Sequence, residues 1–353
     1  MLDKFTNLIE DKSHALFISS DVNRKYISSF RSSAGAVIVT SDCVYLLVDF
    51  RYGEAAKNNS NREITVVVYN NLYDSVNEIL QRHNIKTVFI EEQSVTLEFK
   101  NILKEKLNAE VRSDFKLSKK LQNIRVVKTP DEIAKIETAQ KITEKAYLET
   151  LNFIKEGVSE KKICAEFLYR IYLYGAEKPA FDPITICGKN TSKPHGVPTE
   201  NTVKAGDFFT FDIGAVYDGY HSDMTRTVAV GYATDKMREV YNIVLTAHNL
   251  AKEKIKPDES ISAVDISARN HIEKFGYGSC FGHTTGHGVG LEIHELPTVY
   301  RTNNNSLKEN MIITVEPGIY IENNFGVRIE DMYRVTQNGS ESLANIDKDL
   351  IIL

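Results

Sequence analysis

The 353-residue chain has no tryptophan and only four cysteines, Cys43, Cys164, Cys187 and Cys280. The missing tryptophan excludes nothing. The cysteines lie far apart with no CxxC pair, so they are expected to be reduced, buried thiols of a cytoplasmic protein. Long apolar runs are missing too. A stretch such as Val44–Val48 is far too short to span a bilayer. The opening MLDKFTNLIEDKSH is broken up by charge and holds no signal-peptide apolar core. Positive charge is not in excess. The net charge is −5, so no field exists to hold a nucleic-acid backbone, and neither nucleic acid nor membrane is expected as a partner. What remains is ordinary: 26% charged and 42% hydrophobic residues, which argues against long disorder. The length suits about two domains, each able to bury a core.

Residues 1–122 alternate strand and helix signals and form an N-terminal α/β domain. ALFISS (15–20), ITVVVY (64–69) and TVFIEE (87–92) read as strands. GAVIV (35–39) and CVYLLVD (43–49) flank a Thr-Ser-Asp turn and read as a hairpin. Helical spacing covers Leu72–His83 and Thr96–Asn108. No chemical motif is visible there. A basic stretch around 117–128 lacks a clear period and marks the boundary. Thr129-Pro130-Asp131-Glu132 then gives a full helix start, with Thr129 as cap, Pro130 in the first turn and Glu132 as capping-box partner. That helix is expected to reach about Lys155, with Gly157 as its stop.

Residues 123–353 repeat one order of elements. Helices at 130–155 and 159–174 precede strands at 207–217 and 220–230; helices at 235–255 and 261–275 precede strands at 311–316 and 326–336. A pseudo-symmetric α+β domain has a cleft between its halves, a common place for a site. Seven of the nine histidines fall between His195 and His294, inside this region.

In FFTFDIGAVYDGYHSDMTRTVAV, Asp218-Gly219 is a two-residue hairpin turn. The register that it sets places Asp212 opposite Thr225 and Asp223 opposite Gly214. Asp212 and Asp223 then share a face, roughly 5–8 Å apart. Two carboxylates among apolar neighbours repel unless a cation lies between them, or they are simply solvated. The second repeat supplies a matching pair. Glu316 ends an apolar strand in TVEPGIYI, and Glu330 lies inside another in GVRIEDMYRV, with Arg328 on its face. Each alone is an ordinary salt-bridge residue; their recurrence at equivalent places argues otherwise. Between the pairs runs FGHTTGHGVGLEIHELP, where His283, His287 and His294 alternate with glycines. The spacing is not HExxH, which excludes a helical zincin site. His195 sits in the stiff segment KPHGVP. Four carboxylates with a neutral imidazole match the charge of two divalent cations. An oxygen-rich set suits Mn, Fe or Co better than a thiolate-selecting ion.

These segments, FDIGAVYDGYHSDMTRT, GHGVGLEIHE, EPGIY and GVRIED, together resemble the pita-bread metallopeptidases, which include aminopeptidase P, prolidase and methionine aminopeptidase. The resemblance covers essentially the whole chain. It implies Asp212, Asp223, His287, Glu316 and Glu330 as ligands of two divalent metal ions, Mn first, with Co, Fe and Zn as alternatives. It implies His195 and His294 as catalytic histidines, with Glu316 as the proton carrier. It places His283 and Arg328 on the substrate side, His283 lining the proline pocket and Arg328 supporting one metal through an acid. The phrases SSDVNRKYISSFRSSAG and LVDFRYGEAA resemble the Xaa-Pro branch, so the expected substrates are peptides with proline second. A homodimer is the family expectation. Several prolidases carry an arginine after the H-E-x-P segment, thought to hold a dipeptide's carboxylate. Here Thr298 stands there, with Arg301 three residues on. This favours aminopeptidase P-like action on longer peptides, with Xaa-Pro dipeptidase as the alternative. His221-Ser222 replaces the commoner Cys-Ser and is not expected to disturb the ligands.

Overall fold

The computed structural model describes residues 2–353, and they divide into two compact units, residues 2–124 and Arg125–Leu353. The first unit is built on one six-stranded sheet. Its strands are β1 (His14–Ile18), β2 (Ala36–Val39), β3 (Val44–Val48), β4 (Thr65–Val68), β5 (Thr87–Ile90) and β6 (Glu110–Arg112), in the order β4-β3-β2-β1-β5-β6. Strands β2 and β3 pair antiparallel as the hairpin expected from their patterning. Both faces are covered, so β1, β2 and β3 read as continuous apolar runs rather than alternating ones. The helices are α1 (Asp3–Thr6), α2 (Asp21–Ser28), α3 (Gly53–Asn59), α4 (Leu72–Arg82), α5 (Leu97–Lys106) and α6 (Leu117–Val126). Helix α6 corrects the reading of 117–128 as aperiodic. Its Leu117 and Leu121, one turn apart, are fully buried in the unit's core while Lys119 is exposed.

The second unit opens with α7 (Pro130–Leu151), capped by the Thr129–Glu132 capping box. It ends four residues earlier than expected. Helix α8 (Glu160–Leu173) follows. The strands are β7 (Lys178–Pro179), β8 (Ile184–Cys187), β9 (Phe208–Ile213), β10 (Ala215–Tyr217), β11 (Tyr220–His221) and β12 (Met224–Ala229). After α9 (Asp235–Lys252) and α10 (Ile261–Lys274) come β13 (Gly286–Gly288), β14 (Glu295–Val299), β15 (Ile312–Val315), β16 (Gly318–Ile321), β17 (Phe325–Arg328), β18 (Asp331–Val335) and β19 (Ser340–Ser342).

Each half is more broken than its sequence pattern suggests. The expected strands 207–217 and 220–230 are each split, β9 from β10 and β11 from β12, although the expected register, Asp212 opposite Thr225 and Tyr217 opposite Tyr220, holds on both sides of the break. The cause is a close backbone approach. A Cβ on Gly214 would lie 2.1 Å from the Ser222 carbonyl oxygen, a contact only glycine permits. The expected strand 326–336 is likewise two strands in different sheets, and Glu330 lies in the gap rather than inside a strand. The outcome is one arrangement made twice. A strand pair, β9–β12 or β15–β18, carries an excursion, β10–β11 or β16–β17, between its members. Among the cysteines, only Cys187 is buried; the other three are half-buried, which corrects the expectation of four buried thiols. No described helix is long and apolar enough to cross a membrane.

Candidate metal centre and active site

Four carboxylates gather because the two breaks face each other. Asp212 lies near the end of β9 and Asp223 just before β12; Glu316 follows β15 directly and Glu330 immediately precedes β18. A single backbone bridge, Thr225 to Glu330, ties the halves together there. The Thr225 hydroxyl donates to Glu330 Oε2 at 2.6 Å. His287, from β13, supplies the fifth group. Its Nδ1 lies 3.1 Å from the Gly288 carbonyl oxygen, which assigns the ring proton to Nδ1 and leaves the Nε2 lone pair facing inward. Nε2 is 3.5 Å from both Asp223 Oδ2 and Glu316 Oε1. Ligand atoms of Asp223, His287 and Glu330 all lie within 4.8 Å of one another.

A lone pair aimed at two carboxylate oxygens is unfavourable unless a cation lies between them. Two ligands about 2.1 Å from one ion and separated by tetrahedral to octahedral angles sit roughly 3–3.5 Å apart. The observed spacings meet that condition. The electrostatics agree. Burial, followed by the charges of Glu330, Asp212 and Glu316, holds Asp223 well above the usual carboxylate range. Burial, then Glu316 and Asp212, does the same to Glu330. Burial pushes Glu316 up to about 8, with Arg328 opposing and Asp212 adding. Burial and then His294 push His287 down to about 4, keeping the imidazole neutral and able to bind a metal. The donor set therefore fits divalent metal.

Arg328 lies among the acids. It is 3% exposed, and its donors end on protein: Nη2 on Asp212 Oδ2 at 2.6 Å, Nε on Thr225 Oγ1 at 3.1 Å, Nη1 on Tyr320 Oη at 2.6 Å and on the Pro194 carbonyl at 3.2 Å. It orients Asp212 and, through Thr225, Glu330. Tyr320 Oη in turn lies 2.9 Å from His283 Nε2, while His283 Nδ1 lies 2.8 Å from the Thr284 carbonyl oxygen. Arg328, Tyr320 and His283 thus form one hydrogen-bonded chain, with Tyr320 donating to Nε2. Sequence reasoning gave Thr225 and Tyr320 no role. Tyr320 stands in the EPGIY segment, and its position beside Arg328 follows from the β16–β17 pairing, which no local pattern reveals.

His294 is exposed, its ring centroid 4.4 Å from that of His287 in a T-shaped contact. The turn that carries it is anchored from both sides. His221 donates its backbone N–H to the Gly290 carbonyl at 2.8 Å and places Nδ1 3.1 Å from the same oxygen. Glu295, buried, meets Lys128 Nζ at 3.0 Å and Arg125 Nε at 3.5 Å. Against the opposing effect of burial, Lys128 and Arg125 hold Glu295 below the usual carboxylate range. Replacing Lys128 by Met should destabilise the protein by ~3 kcal/mol, because it strands a buried charge; urea unfolding of the metal-loaded protein reads this, and a change below ~1 kcal/mol would remove the pair from the account. His195 is exposed, on the loop between β8 and β9.

The chain resembles known metallopeptidases along its length. The model of metallopeptidase family M24 matches residues 134–337, and that of the creatinase/prolidase N-terminal domain matches residues 2–127. The chain is 38% identical to an Xaa-Pro dipeptidase of Pyrococcus furiosus over 99% of both chains. An Xaa-Pro dipeptidase structure from Bacillus anthracis superposes with a TM-score of 0.93 at 36% identity, covering 96% of this chain and 95% of that one. An X-Pro aminopeptidase structure from Thermotoga maritima gives 0.89 at 33% identity, covering 97% of this chain and all of the other. With carboxylates and imidazole in metal-binding array, and likeness running end to end, the chain belongs to metallopeptidase family M24.

Proposed function

We propose that this protein hydrolyses the bond between an N-terminal residue and proline, using divalent ions held by Asp212, Asp223, His287, Glu316 and Glu330. The observation that carries the reading is the inward Nε2 lone pair of His287, 3.5 Å from two carboxylates of different strand pairs. Two ions are proposed, Mn first, because four carboxylates and one imidazole form a hard, oxygen-rich set; Co, Fe and Zn are the alternatives. When bound, they supply Lewis acidity, activating water near neutral pH and polarising the scissile carbonyl.

The chain's own groups do the rest. Glu316 takes a proton from the attacking water and delivers it to the proline nitrogen as the C–N bond breaks. His294 donates to the carbonyl oxygen as negative charge develops there. His283, locked by Tyr320 and Thr284, lines the proline side, and His195 contacts the peptide. An Xaa-Pro bond is a tertiary amide with no N–H, so recognition through its carbonyl and its flanks suits it. A cytoplasmic homodimer is the proposed state of the protein.

Peptide length separates two readings. Thr298 lies directly across from His287 in the β13–β14 pairing, so its side chain stands where a residue can meet substrate. With no cation there, longer peptides are favoured: aminopeptidase P-like action. Arg301 is exposed, its guanidinium 5.4 Å from the Tyr300 ring centroid. The dipeptidase reading is supported by the names of two of the relatives just described. A paired assay on Mn-loaded protein, an Xaa-Pro dipeptide against the same sequence extended by two residues, decides. The expected result is faster cleavage of the longer peptide, with Thr298→Arg shifting the ratio toward the dipeptide by ~10-fold. Dipeptide-only cleavage by the wild type would establish prolidase action, and cleavage of neither by metal-loaded protein would reject Xaa-Pro specificity.

A further inference from the structure

The loop that carries His195 has little structure of its own. After one 3-10 turn at Gly188–Ser192, residues 193–200 are exposed or half-buried, apart from Gly196. Its course is set by Glu160, the first residue of α8. The Glu160 side chain is completely buried, and five hydrogen bonds end on its two oxygens. Oε1 accepts from the Cys187 N–H at 2.8 Å and from Asn190 Nδ2 at 3.2 Å. Oε2 accepts from Asn190 Nδ2 at 3.1 Å, and from the Thr199 N–H and hydroxyl, each at 2.7 Å.

Cys187 is the last residue of β8, and Thr199 lies four residues beyond His195. One carboxylate therefore joins both ends of the loop. The backbone repeats the contact: Glu160 N–H donates to the Asn201 carbonyl at 2.9 Å and Lys161 N–H to that of Thr199 at 3.2 Å. The far side is also pinned. Thr191 Oγ1 accepts from the Gly326 N–H at 2.9 Å, and Arg328 holds the Pro194 carbonyl, one residue before His195. Burying a carboxylate is costly, and a helix start needs none to pack. This one sits in the first turn of α8, where the helix dipole favours it, and spends its acceptors on loop donors.

We infer that Glu160 is a positioning residue for Xaa-Pro cleavage: its buried carboxylate staples the two ends of the 187–199 loop and so fixes His195 against the peptide. The inference rests on the substrate role proposed for His195. Displacing a substrate-contacting group by about 1 Å costs on the order of 10²-fold in rate.

The test is a double-mutant cycle of Glu160→Gln and His195→Ala on metal-loaded protein, with amide exchange measured alongside. Gln keeps the volume but turns an NH2 toward groups that donate. Each single variant should lose ~10–100-fold in kcat/KM, and the double variant should fall within about twofold of His195→Ala alone. Exchange over 188–198 should quicken in Glu160→Gln, with 286–288 and metal content unchanged. Losses that multiply, or exchange over 188–198 that stays as in wild type, would overturn the assignment. If Glu160→Gln does not fold, Thr199→Val removes one donor to the carboxylate, together with the acceptor of the Asn201 N–H, and should show a loss of about threefold with the same non-additivity; multiplying losses there would overturn it equally. No cleavage of any Xaa-Pro peptide by the wild type would count against the proposed function, while the exchange result would still decide the staple.

Discussion

Stripped of divalent metal, the protein is expected to lose all peptidase activity and to become less stable as pH rises from about 7 to about 8.5. The first half follows from the chemistry of the centre. The second follows from its carboxylates. An acid whose pKa is raised by folding keeps its proton in the fold after the unfolded chain has released it. Its stabilisation is complete below the unfolded value and is lost as pH rises through the folded value. Glu316 moves from 4.5 to about 8, and Asp223 and Glu330 lie well above their ordinary range. For Glu316 the loss therefore runs from about 4.5 to about 8, and its last part falls above pH 7. Histidines act the other way but earlier. His221, His248, His283 and His287 are pushed down from 6.5 to about 4, so their stabilisation is complete above about 6.5 and is lost only as pH falls. Glu295 and Asp331, held low, contribute above their ordinary values and titrate in acid. The range above pH 7 thus isolates the centre. Thermal unfolding with chelator should show a midpoint falling by ~5 °C across it, against a shallower fall in metal-loaded protein. Metal binding at pH 7 should release protons, with affinity rising toward pH 8. Asp223→Ala should be inactive even at saturating metal, with a flatter metal-free profile because one buried acid is gone. Activity surviving in a sample shown to be free of metal, or a flat profile in the stripped wild type, would contradict the assignment.

The sequence is most informative where one local rule suffices. The Asp218-Gly219 turn sets the register, and period-two alternation then places Asp212 across from Thr225, as found. Helix α7 is announced by its capping box. The strand breaks are not announced, because they arise where Gly214 meets the Ser222 carbonyl, a contact between segments that look continuous. Glu330 illustrates the same limit. Its pattern is that of a strand interior, yet it sits between β17 and β18 because those strands join different sheets. Arg328 was legible as a residue near the acids, but its partners come from β9, β12, β16 and the His195 loop, and only the assembled halves bring them together. Glu160 gave no signal at all. A glutamate in the first turn of a helix is ordinary, and what distinguishes this one is its complete burial under a loop that begins 27 residues later.

His294→Ala is expected to lower kcat by ~10²–10³-fold while both metal content and thermal stability stay at wild-type levels. The argument is the division of labour between two histidines seven residues apart. His287 is fixed by its own strand and by the Gly288 carbonyl, and its Nε2 faces Asp223 and Glu316. His294 touches the centre only through the edge-to-face contact of its ring with that of His287, and its position is exposed. Its turn is held without it, by His221 on Gly290 and by Lys128 and Arg125 on Glu295. Deleting the imidazole therefore removes the donor proposed to face the substrate and is expected to leave the proposed ligand set standing. A donor that strengthens only as charge develops on the carbonyl oxygen should cost kcat and kcat/KM equally, with KM little changed. His287→Ala, by contrast, should lose metal and activity together. If His294→Ala also loses metal, His294 acts as a ligand. If it raises KM alone, it binds substrate without stabilising the transition state. Elemental analysis beside steady-state kinetics on the two variants separates these outcomes in one experiment.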